Sequence, residues 1–380
     1  MVGSFAGHSC KNVGVCFMNE MIYEYAHGGN IYDSNGFPYK NILDFSSSIN
    51  PLGTPSSALI AARRSLEQSA RYPDSGNSSL IKSLAAYENV SSQHLFCSNG
   101  ASDIIFRIVT ARKPKKILVT APSFADYERA GRALGAEIIH YPLKKENGFN
   151  IHNCIVDVIK TTLPDIVFIC NPNNPTGCLT QRKLLIKIAI ACAIINSTLV
   201  VDECFLDFVQ ETDKYSAKPL LNTYSNLVVL KAFTKTFAMP GLRLGYAICS
   251  DEVFLDHLRL CGADWSVSNV AQAAGIAVLE DEREYVSKSI SFIETERNRI
   301  AKELVEMGFT VYPSYANFIF FQSTWNMDLS HELRKKGILI RDCSNFAGLT
   351  AGYYRIAVLS EDKNNRLIEA LKQLYGESIN

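Results

Sequence analysis

The chain of 380 residues carries 38 basic and 38 acidic side chains, so its formal net charge at pH 7 is zero. A chain of this length can bury a large core and form two domains. The balanced charge argues against a nucleic-acid partner or a membrane surface. The most apolar stretch, residues 184–201, contains Lys187 and a polar run at 196–198, so we predict no membrane-spanning helix.

Eleven cysteines are scattered through the sequence without a C-x-x-C pair. This pattern predicts reduced thiols in the core of a cytoplasmic protein rather than disulfides. Residues 1–25 show no periodicity and no signal peptide, and we expect a mobile extension there. Cys10 and Cys16 lie in it, and a metal role for them stays open, although we predict no metal. Residues 26–55, rich in glycine and serine turns, form a predicted N-terminal arm.

From residue 56 the pattern becomes regular. Helices are predicted over about 56–70 and 80–90, with further helices over 98–110, 124–134 and 181–195. Strands are predicted at 95–97, 116–120, 137–141, 166–170, 198–202, 227–230 and 244–249. This alternation predicts an α/β fold with a mainly parallel, helix-covered sheet, in a large domain over 56–265.

The pattern changes after residue 251. Long helices are predicted over 269–307, followed by strands at 310–312, 317–322 and 353–358 and helices over 328–336 and 362–374. Residues 266–380 are therefore predicted to form a smaller α+β domain.

Polar side chains follow several of the predicted strands. Asn171, Asp202 and Lys235 each come directly after a strand, where α/β sheets bind ligands. Lys235 stands among aromatic residues, and desolvation there would favour the neutral amine that forms Schiff bases. Arg243 follows a tight turn and could hold an anion near that amine. A surface lysine and arginine beside a loop would be the ordinary alternative.

The turn at residues 98–103 (SNGASD) joins a strand to a helix N-terminus, an arrangement that binds phosphate. Together, this anion loop, the asparagine turn at 171–177 (NPNNPTG), the acid, the lysine and the arginine resemble the fold type I pyridoxal-phosphate enzymes, the aspartate-aminotransferase superfamily. The resemblance implies pyridoxal 5'-phosphate as cofactor. It implies that Lys235 binds the cofactor covalently, that Asp202 keeps the ring nitrogen protonated, and that Asn174 contacts the ring hydroxyl.

The same resemblance implies further contacts. The cofactor phosphate would be held by Ala101, Ser102, Thr234 and Arg243, and Phe124 would stack on the ring. Tyr72 would reach the phosphate from a neighbouring subunit, which implies a homodimer. Phe205 and Ala232 stand where many relatives carry hydroxyls.

A closer resemblance, from residue 26 onward, is to the L-threonine-O-3-phosphate decarboxylase family of cobalamin biosynthesis. It is carried by residues 26–30 (AHGGN), 44–53, 71–74 (RYPD), 240–246 (PGLRLGY), 338–341 (ILIR) and 353–355 (YYR), and Phe205 also matches that family. The implied substrate contacts are His27, Gly28, Ser48, Asn174, Arg341 and Arg355. Arg355 would grip the α-carboxylate, and the residues around the phosphate would be His27, Gly28, Ser48 and Arg341.

Three alternatives stay open. Ser48 replaces an asparagine of the family pattern and leaves space, so O-phosphoserine is a competing substrate. An aminotransferase acting on histidinol phosphate would share the cofactor residues. A non-enzymatic regulator of the same fold would need a DNA-binding domain, for which residues 1–25 leave no room.

Overall fold

The structure, a computed structural model, describes residues 27–32, 41–281 and 283–379. The predicted extension with Cys10 and Cys16 lies outside these residues. Within the described ranges, no helix combines the length and apolarity needed to cross a membrane.

The described strands are β1 (Leu43–Asp44), β2 (Leu95–Ser98), β3 (Lys116–Ala121), β4 (Glu137–Pro142), β5 (Ile166–Cys170), β6 (Thr198–Asp202), β7 (Leu227–Ala232), β8 (Gly245–Ile248), β9 (Thr310–Tyr312), β10 (Phe318–Gln322), β11 (Ile338–Leu339), β12 (Arg341–Asp342) and β13 (Tyr353–Ala357). The described α-helices are α1 (Ser56–Ser65), α2 (Ser78–Glu88), α3 (Gly100–Arg112), α4 (Ala125–Ala133), α5 (Ile155–Thr162), α6 (Arg182–Ile194), α7 (Phe233–Thr236), α8 (Glu252–Leu260), α9 (Asn269–Asp281), α10 (Arg283–Glu306), α11 (Leu329–Lys335) and α12 (Glu361–Ile379).

Seven strands form the large sheet, in the order β2-β8-β7-β6-β5-β3-β4. β8 runs antiparallel to both of its neighbours, and the pairs from β7 to β4 are parallel. Every residue of β5, β6 and β7 is buried, as expected for central strands covered by helices on both faces. The prediction of a mainly parallel, helix-covered sheet is therefore confirmed.

One prediction about a helix boundary was wrong. The first helix, predicted over about 56–70, begins at Ser56 but ends at Ser65. A 3₁₀ turn, Leu66–Gln68, replaces its last predicted turn. The long helices predicted over 269–307 are present as α9 and α10.

The C-terminal part contains a four-stranded antiparallel sheet in the order β12-β13-β10-β9. The arm is bound to this part of the chain: β1 pairs in parallel with β11, and the Phe45 carbonyl accepts a hydrogen bond from the Ala357 N–H at 2.8 Å. Leu43 and Phe45 accordingly share a core with the C-terminal helices. The domain boundaries at residues 55 and 265 stay a prediction.

A buried ionic network connects strand β7 to the one-turn helix α7. Lys231 Nζ lies 3.0 Å from Glu88 Oε1 and 2.8 Å from Asp207 Oδ1. Glu88 also pairs with Lys218 at 2.7 Å, and Asp207 accepts a hydrogen bond from the Thr236 hydroxyl at 2.9 Å. The network thus ties β7 to the helix that carries Lys235.

We expect Glu88→Gln to lower the free energy of unfolding by about 3 kcal/mol at pH 7, because two lysines would lose a buried counter-charge. Burial alone would raise the pKa of Glu88, but Lys231 and Lys218 lower it from 4.5 to about 2. This stabilisation is therefore present above about pH 4.5 and is lost as the pH falls towards 2. Urea unfolding of both proteins at several pH values measures the difference.

The exposed Glu67→Gln is the matched control and should leave the free energy of unfolding unchanged. A Glu88→Gln protein as stable as the parent at pH 7 would contradict the assigned role of the network.

Candidate active site

A cavity of about 590 Å³ lies at the carboxyl ends of β5, β6 and β7. It is lined by Cys170 and Asp202, the last residues of β5 and β6, and by Ala232, the last residue of β7. The predicted site residues that line it are His27, Gly28, Ser48, Ala101, Ser102, Phe124, Asn174, Asp202, Thr234, Lys235, Arg243, Arg341 and Arg355. Residues distant in sequence are thus brought into one cavity.

Lys235 lies on α7, directly after β7. Its Nζ is 5.6 Å from the centre of the Phe205 ring. Removal from water, with repulsion from Arg355, lowers the pKa of Lys235 to about 8. About a tenth of this amine is therefore neutral and nucleophilic at pH 7, far more than for an ordinary lysine.

Asp202 is held by two donors at the end of β6. Its Oδ2 accepts a hydrogen bond from the Tyr127 hydroxyl at 2.7 Å, and its Oδ1 accepts one from the Cys204 N–H at 3.0 Å. Tyr127 is fully buried and stacks on Phe168 with ring centres 4.7 Å apart. Burial and the nearby carboxylate raise the pKa of Tyr127 well above its ordinary value, so the phenol stays a donor.

Tyr127 was missed by the sequence analysis. A tyrosine on an amphipathic helix resembles any core aromatic residue, and only the packing of α4 on the sheet brings it to Asp202.

The N-terminus of α3 packs closely against Arg243 and β8. A Cβ added at Gly100 would lie 2.8 Å from Arg243 Nη2, and one added at Gly245 would lie 2.5 Å from the Ala101 nitrogen. The first backbone N–H groups of α3 and the Arg243 guanidinium therefore meet at the cavity wall. Such a concentration of donors suits a phosphate group.

Arg355 is buried on β13. Its guanidinium donates to Asn174 Oδ1 and, at 2.8 Å, to the Ser46 carbonyl. Its Nε has no hydrogen-bond partner among the described residues. Burial lowers the pKa of Arg355 to about 10, which leaves the guanidinium charged at neutral pH.

Arg341 pairs opposite Arg355 across β12 and β13. It donates to Asn345 Oδ1 at 2.8 Å, its guanidinium lies 5.0 Å from the Phe346 ring centre, and burial lowers its pKa. The hydroxyl of Ser48 is buried without a hydrogen-bond partner among the described residues. Two cationic groups and a spare hydroxyl thus face one cavity.

The glycine turn at the start of the described chain also reaches the cavity. A Cβ at Gly28 would lie 2.3 Å from the Ser46 carbonyl oxygen, so only glycine fits there. His27 Nε2 lies 3.2 Å from Oδ1 of Asp126, a buried carboxylate in the first turn of α4. Asp126 was missed because an acid in a first helical turn is also explained by the helix dipole.

Tyr72 is the predicted site residue that does not line the cavity. Its side chain is 80% exposed. Its ring stacks on Trp265 with centres 4.6 Å apart.

Comparisons with known proteins agree with this geometry. The model of the family "Aminotransferase class I and II" matches residues 40–371. The chain is 35% identical to the threonine-phosphate decarboxylase of Salmonella typhimurium over 358 residues, which are 93% of this chain and 97% of that protein.

Two solved structures are also similar. The histidinol-phosphate aminotransferase of Clostridium acetobutylicum is 32% identical with a TM-score of 0.82, covering 88% of this chain and all of that one. The L-threonine-O-3-phosphate decarboxylase of Porphyromonas gingivalis is 25% identical with a TM-score of 0.77 and the same coverage. The family model covers most of the chain, and the identity to the decarboxylase extends over nearly all of it. The chain therefore belongs to the aminotransferase class I and II family of pyridoxal-phosphate enzymes.

Proposed function

We propose that this enzyme decarboxylates L-threonine O-3-phosphate, giving CO2 and (R)-1-amino-2-propanol phosphate for the cobamide nucleotide loop. The observation that carries the proposal is the pair Arg341 and Arg355, opposite each other on neighbouring strands and both lining the cavity. Each planar guanidinium can take one anion through two hydrogen bonds. A phosphoamino acid has two such anions, a phosphate and a carboxylate.

The inner end of the cavity fits pyridoxal phosphate. Gly100, Gly245 and Arg243 pack closely around the N-terminus of α3 and form what we call the phosphate site. There the backbone N–H groups of α3 would bind the cofactor phosphate, together with Thr234. Asp202 is the buried carboxylate that a protonated ring nitrogen requires, and Lys235 would hold the cofactor covalently. The bound cofactor supplies a ring that accepts the electron pair of the bond being broken.

The remaining wall would position the substrate. Arg355, which lines the cavity, would hold the carboxylate beside Asn174. Arg341, His27, Gly28 and Ser48 would surround the phosphate. Once Lys235 is no longer bound to the cofactor, its protonated form would deliver the proton that replaces the carboxylate at Cα, since a pKa of about 8 leaves most of the amine protonated at neutral pH. Orientation of the substrate then selects the reaction.

Two competing activities follow from the same cavity. The likeness to a histidinol-phosphate aminotransferase favours transamination, because both activities use the same cofactor residues. Phe205 favours decarboxylation, since it offers the ring no hydroxyl. O-phosphoserine is an alternative substrate, because it differs from O-phosphothreonine by one methyl group.

The function is tested by incubating the holoenzyme with O-phosphothreonine, O-phosphoserine and histidinol phosphate. We expect CO2 from O-phosphothreonine, a lower kcat/KM for O-phosphoserine, and no amino-group transfer from histidinol phosphate to a keto acid. CO2 release and amino-group transfer are measured in parallel. Transfer of the amino group without CO2 would refute the decarboxylase.

The phosphate site can be tested through cofactor binding, without measuring enzyme activity. Gly245→Ala should weaken pyridoxal-phosphate binding at least about tenfold, since the new Cβ would displace the backbone at Ala101. Titration of the apoenzyme with cofactor, followed by absorbance, gives the Kd. Gly241→Ala is the control, because a Cβ there meets no atom within 4 Å. If both variants bind pyridoxal phosphate with equal affinity, the assignment of the phosphate site is wrong.

We also propose that the enzyme is a cytoplasmic homodimer in which Tyr72 serves the partner's site. The support is that Tyr72 is exposed and lies outside its own cavity.

Co-expression of Tyr72→Ala and Lys235→Ala chains tests the dimer. Neither homodimer should be active. Random pairing should restore about a quarter of the activity, because half the dimers are mixed and each has one intact site of two. No restoration, or a monomer in sedimentation, would contradict the shared site.

A further inference from the structure

A buried carboxylate lies between the two anion-binding parts of the cavity. Asp126, on the first turn of α4, is 4% exposed. Its Oδ1 lies 3.2 Å from His27 Nε2 and 3.9 Å from Nη1 of the largely exposed Arg129. Asp126 lines the cavity together with Ser102, a predicted cofactor contact, and His27, a predicted substrate contact.

Asp126 is ionised at neutral pH. Burial alone would raise its pKa, but the interactions with His27, Ser102 and Arg129 outweigh burial and hold the pKa below its ordinary value. An ionised carboxylate beside an anion-binding cavity should repel anions, unless it orients a neighbouring side chain that binds them. His27 is that neighbour.

We infer that Asp126 is a positioning residue that fixes His27 for binding the substrate phosphate. The 3.2 Å contact of Nε2 with Asp126 holds the imidazole ring in one orientation, and in the protonated ring the other nitrogen, Nδ1, donates to an anion. The Phe124 ring, 5.7 Å from the imidazole, closes one side of this arrangement. This inference rests on the proposed function, which places the substrate phosphate at His27.

The test is a double-mutant cycle on the holoenzyme with Asp126→Asn, His27→Gln and the double variant. Isothermal titration calorimetry with inorganic phosphate gives the Kd of each, and the bound-cofactor absorbance confirms loading. We expect Asp126→Asn to weaken phosphate binding about tenfold when His27 is present, and less than about twofold when residue 27 is glutamine. With O-phosphothreonine, KM should rise and kcat should change little.

The sign of the effect is diagnostic. If Asp126 acted only through its charge, its neutralisation would remove repulsion and strengthen phosphate binding. Tighter binding, an unchanged Kd, or an equal loss in both backgrounds would overturn the inference. Asp157→Asn, an exposed acid in the first turn of α5, is the matched control and should change nothing.

Two further outcomes separate this inference from the proposed function. If the parent enzyme releases no CO2 from O-phosphothreonine, the decarboxylase proposal fails, while the phosphate Kd values still judge Asp126. Should Asp126→Asn fail to retain cofactor, Asp126→Glu takes its place in the cycle: a loss of phosphate affinity confined to the His27 background supports the inference, and an equal or absent loss overturns it.

Discussion

The site depends on the hydrogen bonds that hold the buried guanidinium of Arg355. Taking a charged group out of water is costly unless hydrogen bonds compensate it. Here the partners are Asn174, on the loop after β5, and the Ser46 carbonyl, on the arm after β1. One side chain of the small sheet thus joins the large sheet and the arm. Because Arg355 also lines the cavity, its guanidinium can hold a bound anion there.

Two lysines four residues apart show how charge is distributed around this centre. Lys231 is buried between Glu88 and Asp207; burial alone would lower its pKa, but these carboxylates raise it well above its ordinary value. Lys235 is also removed from water, but it faces Arg355 and Arg243, and its pKa falls to about 8. One lysine is therefore a permanent structural cation and the other is a nucleophile. The difference lies entirely in what the fold places beside each amine.

Much of the site could be predicted from local signals. Asp202 and Lys235 follow apolar strands, and parallel strands collect their following residues at one edge of a sheet. Tyr127 and Asp126 could not be predicted in this way. Their partners, Asp202 and His27, are 75 and 99 residues away, and a core tyrosine or a first-turn acid is common in any helix. No local pattern separates their functional roles from these ordinary ones.

The sequence by itself determined the α/β alternation and the polar residues at the strand ends, because hydrophobic periodicity and strand-end residues are local properties. Its resemblance to a known family implied Lys235 as the candidate cofactor lysine and Arg341 and Arg355 as candidate substrate contacts. Only the tertiary structure decided which of these groups touch. The pairing of β12 with β13 sets Arg341 opposite Arg355, and the pairing of β1 with β11 brings the arm to the cavity. Both contacts depend on strand register between distant segments, and register is set by packing of the whole core.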